Sequence, residues 1–333
     1  MVSSSSVGSM KSQIHSCRAL TLAAAAVFAG CGGSQPSIGA PRAMAQSPAI
    51  VQHASHGGSW MLPATSSDLI YATGACGGTC VLSYPTGSLV GTINVGDAGA
   101  CADTSGNVYI ADKNNLFEYA HGGSTPINTF TVSYGIINSC SIDPGTGDIA
   151  TTVDQTNNYN VAIFSSPSSP PTTYVISFDI QYCGYDNAGD LFVDGYSDRG
   201  SDFSFYELPK GGSQFTSISV NPSLQIRPGM VQWDGHYITV EGIGINNGVA
   251  LYRLSVSGSG ATVAGTTQFN GVIKSALQSW IQGSIILIPY RAHGASDKKV
   301  GIWKYPAGGK VKKIIKHFES GPDVQAVTFS PGS

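Results

Sequence analysis

A short pattern returns five times between Asp103 and Ile285, and it constrains this 333-residue chain more than any other feature. Each copy is a tight turn of Asp and Gly running straight into a strand. It reads Asp103-Thr104-Ser105-Gly106-Asn107-Val108-Tyr109-Ile110-Ala111-Asp112, returns around Asp143, Gly147 and Ile149, and again as Asp186, Gly189 and Leu191-Phe192-Val193-Asp194. Degenerate copies follow at Asp234-Gly235 before Tyr237 and at Gly283 before Ile285. The strand starts Leu69, Val108, Ile149, Leu191, Tyr237 and Ile285 lie 39, 41, 42, 46 and 48 residues apart. After each comes a second apolar segment, such as Leu116-Phe117-Glu118-Tyr119 or Ile302-Trp303-Lys304-Tyr305, and then a Gly or Pro turn. Repeats of this length built from short strands predict an all-β, six-bladed β-propeller of four-stranded antiparallel blades. No strand precedes Leu69 to serve as the first blade's inner strand, whereas Val324–Phe329 has no strand after it. That C-terminal strand is therefore expected to join the first blade and close the ring, which removes two open edges.

Composition agrees. Gly numbers 42, charged residues are only 11% of the chain, and Glu occurs four times, at Glu118, Glu207, Glu241 and Glu319. Strong helix formers are thus scarce, while the aromatic and β-branched content excludes a disordered chain. The net charge of −3 gives no electrostatic support to a nucleic-acid partner.

The stretch at 103–115 resembles the NHL-type repeat and its six-bladed relatives. The resemblance covers 69–333 as architecture and implies the propeller, without implying a reaction. In the gluconolactonase-like branch of that superfamily it implies a divalent cation held by an early Glu, two polar ligands and an Asp. No Glu precedes Glu118 here, so that ligand set is incomplete. A lyase of the streptogramin-inactivating type needs a His base, and His236, His293 and His317 lie in no recognisable motif.

The first thirty residues read as an address. Lys11 and Arg18 precede an apolar run from Ala19 to Ala29, about half the ~20 residues of a membrane span. Phe28-Ala29-Gly30-Cys31 resembles the lipobox of bacterial lipoproteins, which implies cleavage before Cys31 and its acylation. The expected domains are a signal peptide at 1–30, a lipidated Cys31 with a Gly/Ser/Pro tether at 31–66, and the propeller at 67–333. Loss of Lys11 and Arg18 leaves 15 basic and 20 acidic residues, a balance of −5. The expected location is extracytoplasmic, on the outer membrane or cell surface, with a lipid bilayer and an unidentified protein or saccharide as partners and a monomeric state.

Candidate sites follow from position in the repeat. Asp103, Asp143, Asp186 and Asp234 open the turns and are expected to cap backbone N–H groups there. Asp112, Asp154, Asp194 and Glu241 stand near the far ends of the following strands, where carboxylates from several blades can gather around a hard cation such as Ca²⁺. Their offsets from the strand starts (+4, +5, +3 and +4) do not coincide. Cys76 and Cys80 are spaced to form a small disulfide loop. Cys101, Cys140 and Cys183 precede the turn Asp and belong on inner strands of consecutive blades, with a bond between Cys140 and Cys183 as one option. Lys312, Lys313 and Lys316 mark an outer edge strand, and Tyr185, Tyr196, Tyr237 and Tyr290 are expected to be exposed. No complete catalytic motif is present. The leading expectation is a binding or scaffold module, and the alternative is a metal-assisted hydrolase or lyase with its site at the channel mouth.

Overall fold

The computed structural model describes residues 67–155, 158–197, 202–223, 228–244, 248–270, 273–292, 298–316, 318 and 324–332. They fall in one unit, His53–Ser333. Cys31, the segments 1–30 and 31–66, His293 and His317 lie outside the described residues.

Six sheets follow one another along the chain. The first blade is built around Leu69–Ala75, which pairs with Gly78–Ser83 on one side and with the C-terminal strand Ala326–Ser330 on the other. Leu89–Ile93 completes it. The inner strands of the remaining blades are Ala100–Ala102, Ile136–Ile142, Asp179–Tyr185, Val231–Trp233 and Trp280–Gln282. The second strands are Val108–Asp112, Ile149–Gln155, Leu191–Tyr196, Ile238–Ile243 and Ile285–Ala292. The chain thus builds the expected six-bladed propeller, closed by its last strand.

Two blades depart from the simple pattern. The fifth gains Ser219–Asn221, which runs parallel to the outer strand Gly260–Gln268 and covers its edge. The sixth has its inner strand in two pieces, Ile273–Ala276 and Trp280–Gln282, both paired with Ile285–Ala292. Gly308–Ile315, with Lys312 and Lys313, is the outer strand there, as expected.

Packing explains why the strands lack clean alternation. Six apolar clusters each lie between two neighbouring blades. Ile70 and Phe329 of the first blade meet Leu287 and Val300 of the sixth, and Leu69 and Tyr71 meet Val108 and Ile110 of the second. A blade packed on both faces buries successive residues, so Leu69–Ala75 is buried along its whole length.

Around the axis, side-chain amides stitch inner strands together. Gln232 accepts from the Ile281 N–H at 2.7 Å and donates to its carbonyl at 2.9 Å, joining the fifth and sixth blades. Gln278 does the same to Ala100 of the second blade, at 3.0 and 2.8 Å. The ring closure is pinned by Ser330, whose hydroxyl lies 2.6 Å from His121 Nδ1 and donates to the Gly106 carbonyl.

Candidate functional site

The turn acids do the work expected of them. Asp103 Oδ1 accepts from the N–H groups of Ser105 and Asn107, Asp143 from Gly145, Asp186 from Ala188 and Asp190, and Asp234 from His236 and Tyr237. Gly106 and Gly189 follow with φ of 88°, a conformation costly for other residues.

The four acids of the second strands part company. Asp112 is half-buried and accepts from the Gly96 N–H at 3.3 Å, while Asp154 is exposed. Asp194 and Glu241, by contrast, are 0% and 2% exposed. Counted on the observed strands, Leu191–Tyr196 and Ile238–Ile243, both are the fourth residue, so they occupy equivalent places in adjacent blades. The sequence offsets had obscured this, because the fifth-blade strand begins at Ile238 and not at Tyr237. Among the described residues, no group of three or more His, Cys, Asp or Glu gathers to hold a metal ion.

A bulge explains what Asp194 does. Pairing between the first two strands of the fourth blade shifts register between Ile180 and Tyr182, and the Tyr182 N–H turns to Asp194 Oδ1 at 3.1 Å. The third blade has the same bulge between Ile137 and Ser139. There the Ser139 N–H is taken at 3.1 Å by the hydroxyl of Thr152, again the fourth residue of its strand. One hydroxyl therefore satisfies the bulge, and Asp194 carries one oxygen more than the fold needs. That oxygen, Oδ2, is buried without a hydrogen-bond partner. The Ser279 hydroxyl donates to Glu241 Oε2 at 3.4 Å. Its carboxyl fills the space beside Gly229, where a Cβ would fall 2.4 Å from the carboxyl carbon. Burial pushes both carboxyls well above the usual carboxylate range, and the Asp194 charge pushes Glu241 further in that direction.

The inner strands enclose a cavity of about 230 Å³, and neither acid is among its described lining residues. Tyr182, Met230 and Ser279 form its wall nearest the acids, and Tyr185, Trp233 and Trp280 supply aromatic surface. Thr104 and Pro144, at the turns after the inner strands, are exposed at its rim. Among the described residues, no Lys, Arg or His lines it. Apart from Tyr185, sequence reasoning missed these wall residues because they come from inner strands of different blades, and only ring closure brings them together. Tyr185, expected to be exposed, is buried, and Tyr196, Tyr237 and Tyr290 are half-buried. The close packing of blade on blade takes in these rings.

Cys76 and Cys80 are joined in a disulfide across the first hairpin turn, and Cys101 is joined to Cys140 across the inner strands of the second and third blades. The expected option of Cys140 with Cys183 is thereby corrected. Cys183 is a free, buried thiol that burial pushes up to about 12, so it is not a nucleophile at neutral pH. The contact of His121 with Ser330 is likewise sealed, since Ser330 is 0% exposed.

No protein-family model matches the chain, and no curated protein matches it. Solved structures share its fold. A chain of a nidogen–laminin complex aligns with a TM-score of 0.58 at 13% identity, covering 79% of this chain and 98% of that one. A Bacteroides caccae protein of unknown function gives 0.55 at 9%, covering 79% and 99%. TolB from Acinetobacter baumannii gives 0.54 at 11%, covering 82% and 68%. These likenesses show the propeller fold alone.

Proposed function

We propose that this chain is a membrane-anchored extracytoplasmic lipoprotein whose propeller is a binding module, with its ligand held in the channel cavity. The observation that carries the binding reading is the cavity's wall. It combines aromatic faces with hydroxyl and amide groups, the mixture that orients a small ligand. Its titratable groups do not form an activated nucleophile and base: the Cys183 thiol is protonated, the Tyr182 and Tyr185 hydroxyls are raised by burial, and Asp186 is engaged in its turn. The anchoring half of the reading rests on Lys11, Arg18 and the segment ending at Cys31.

Both halves are testable. Replacing Cys31 with Ser is expected to move the protein from membrane to soluble fractions, and retention by the membrane would contradict the anchor. Purified chain incubated with a lactone and ester panel, with and without Ca²⁺, is expected to show no turnover. Turnover lost in both Asp194→Asn and Glu241→Gln would replace the binding module with the metal-assisted hydrolase that the acids of the second strands first suggested.

A further inference from the structure

We propose that the Cys76–Cys80 disulfide is a site of reversible thiol exchange, opened by a low-molecular-weight thiol that attacks Cys76. The inference goes beyond the binding reading and does not depend on the cavity.

Three observations carry it. The first is that the hairpin does not need the bond. Its two strands are paired from Leu69 with Ser83 down to Ala75 with Gly78, so the ladder already holds the cysteines near each other. The second blade makes a two-residue turn at the equivalent place, Lys113-Asn114 between the paired Asp112 and Asn115. Lys113 has a φ of 55° and Cys76 a φ of 54°, so the same bend is reached there with no disulfide across it. A crosslink between residues 4 apart also restricts the unfolded chain less than one between residues 39 apart.

The second observation is access. Among the described cysteines, Cys80, Cys101, Cys140 and Cys183 are 4% exposed or less, whereas Cys76 is half-buried. Beside it Gly77 is exposed at the tip of the turn, and a Cβ built there would meet nothing within 4 Å. An incoming thiol therefore has open space next to Cys76. The third observation is the other end of the bond. Cys80 lies in the apolar cluster between the first and sixth blades, with Ile70, Leu82 and Val327. A free thiol behaves as a small apolar group and suits such a cluster, so opening the bond leaves the blade packed. The Cys101–Cys140 bond is the contrast, since it joins two blades and both its residues are buried.

Exchange proceeds by attack of a thiolate on a disulfide sulfur, and access decides which sulfur is attacked. The incoming sulfur forms a bond to Cys76 Sγ, and the bond from Cys76 to Cys80 breaks. The electron pair leaves on Cys80 Sγ, which takes up a proton. A second thiol of the same kind then displaces Cys76, so the two incoming sulfurs end joined to each other and both cysteines end reduced. Two electrons pass from the thiol pair to the disulfide, and an oxidised thiol pair returns them when the ring closes again.

The test uses the full folded chain and reduced glutathione as the probe. Samples are quenched in acid at intervals, unfolded, blocked with N-ethylmaleimide and mapped by peptide mass. Cys76–Cys80 is expected to open faster than Cys101–Cys140 by roughly tenfold or more. The trapped glutathione adduct is expected on Cys76. Separately, Cys76→Ser/Cys80→Ser should fold and keep the wild-type melting temperature, which a bond needed by the fold would not allow. Opening of the two disulfides at equal rates, earlier opening of Cys101–Cys140, or an adduct on Cys80 would overturn the proposal. So would a Cys76–Cys80 bond that opens only when the chain unfolds, or a double serine variant that melts well below wild type or fails to fold.

Discussion

At the scale of single residues, burial sets opposite pH dependences at two places. Asp194 and Glu241 have folded-state values above their unfolded ones, so the folded chain holds their protons more tightly. Their contribution to stability is complete below the unfolded carboxyl value of ~4 and is lost as pH rises through the folded values. The Asp194→Asn/Glu241→Gln double variant removes this loss. Thermal unfolding across pH 5 to 9 should show wild type declining relative to the variant on the alkaline side; parallel curves would contradict the burial argument. His121 behaves the other way. Desolvation lowers its value below the usual one, against smaller raising effects from Ser67 and Asp68. Its contribution is present above the unfolded value of ~6.5 and is lost as pH falls through the folded value. His121→Asn, which can still bond Ser330, is expected to flatten the acid limb of the same profile, and an unchanged limb would remove His121 from the account. The turn acids were legible in the sequence because their bond to the backbone two residues on is local. The pairing of Asp194 with Glu241 was not, because it depends on where a strand begins and on bulges that leave no mark in the residue pattern.

At the scale of elements, three of the inner strands, Ala100–Ala102, Val231–Trp233 and Trp280–Gln282, are only three residues long and depend on links between blades. Ala100–Ala102 is three residues long, yet it carries Cys101, bonded to Cys140, and Ala100, clasped by Gln278. Removing a crosslink across 39 residues costs about 4 kcal/mol by loop closure. The Cys101→Ser/Cys140→Ser variant is therefore expected to melt roughly 10 °C below wild type in calorimetry. A shift of only a degree or two would mean that the amide clasps and apolar clusters hold the inner ring without it. The three cysteines could be placed on inner strands from their distance to the turn Asp. Which two would bond could not be read, since that choice depends on the blade-to-blade approach at the axis. The same holds for Ser219–Asn221, too short and too polar to announce itself as a strand, and ordered by the open edge of Gly260–Gln268.

At the scale of the whole molecule, the ring makes the site. Six apolar interfaces hold the blades, the C-terminal strand closes the circle, and the enclosed channel gathers residues from five inner strands around one cavity. Repeat length and turn spacing were enough to read the number of blades, since each blade is the same local solution to packing between two neighbours. The cavity's chemistry was not readable, because five inner strands from different blades each contribute different residues to it. Thr104 offers the most direct test that this cavity is the binding site. It is exposed at the rim, and a Trp there would close the mouth without disturbing the core. Thermal-shift screening of wild type and Thr104→Trp against one panel of small amines, sugars and carboxylic acids gives the measurement. The account predicts that ligands stabilising wild type lose their effect in Thr104→Trp, while the unliganded melting temperatures agree within a few degrees. Stabilisation that survives in the blocked chain would place the binding site elsewhere and contradict it.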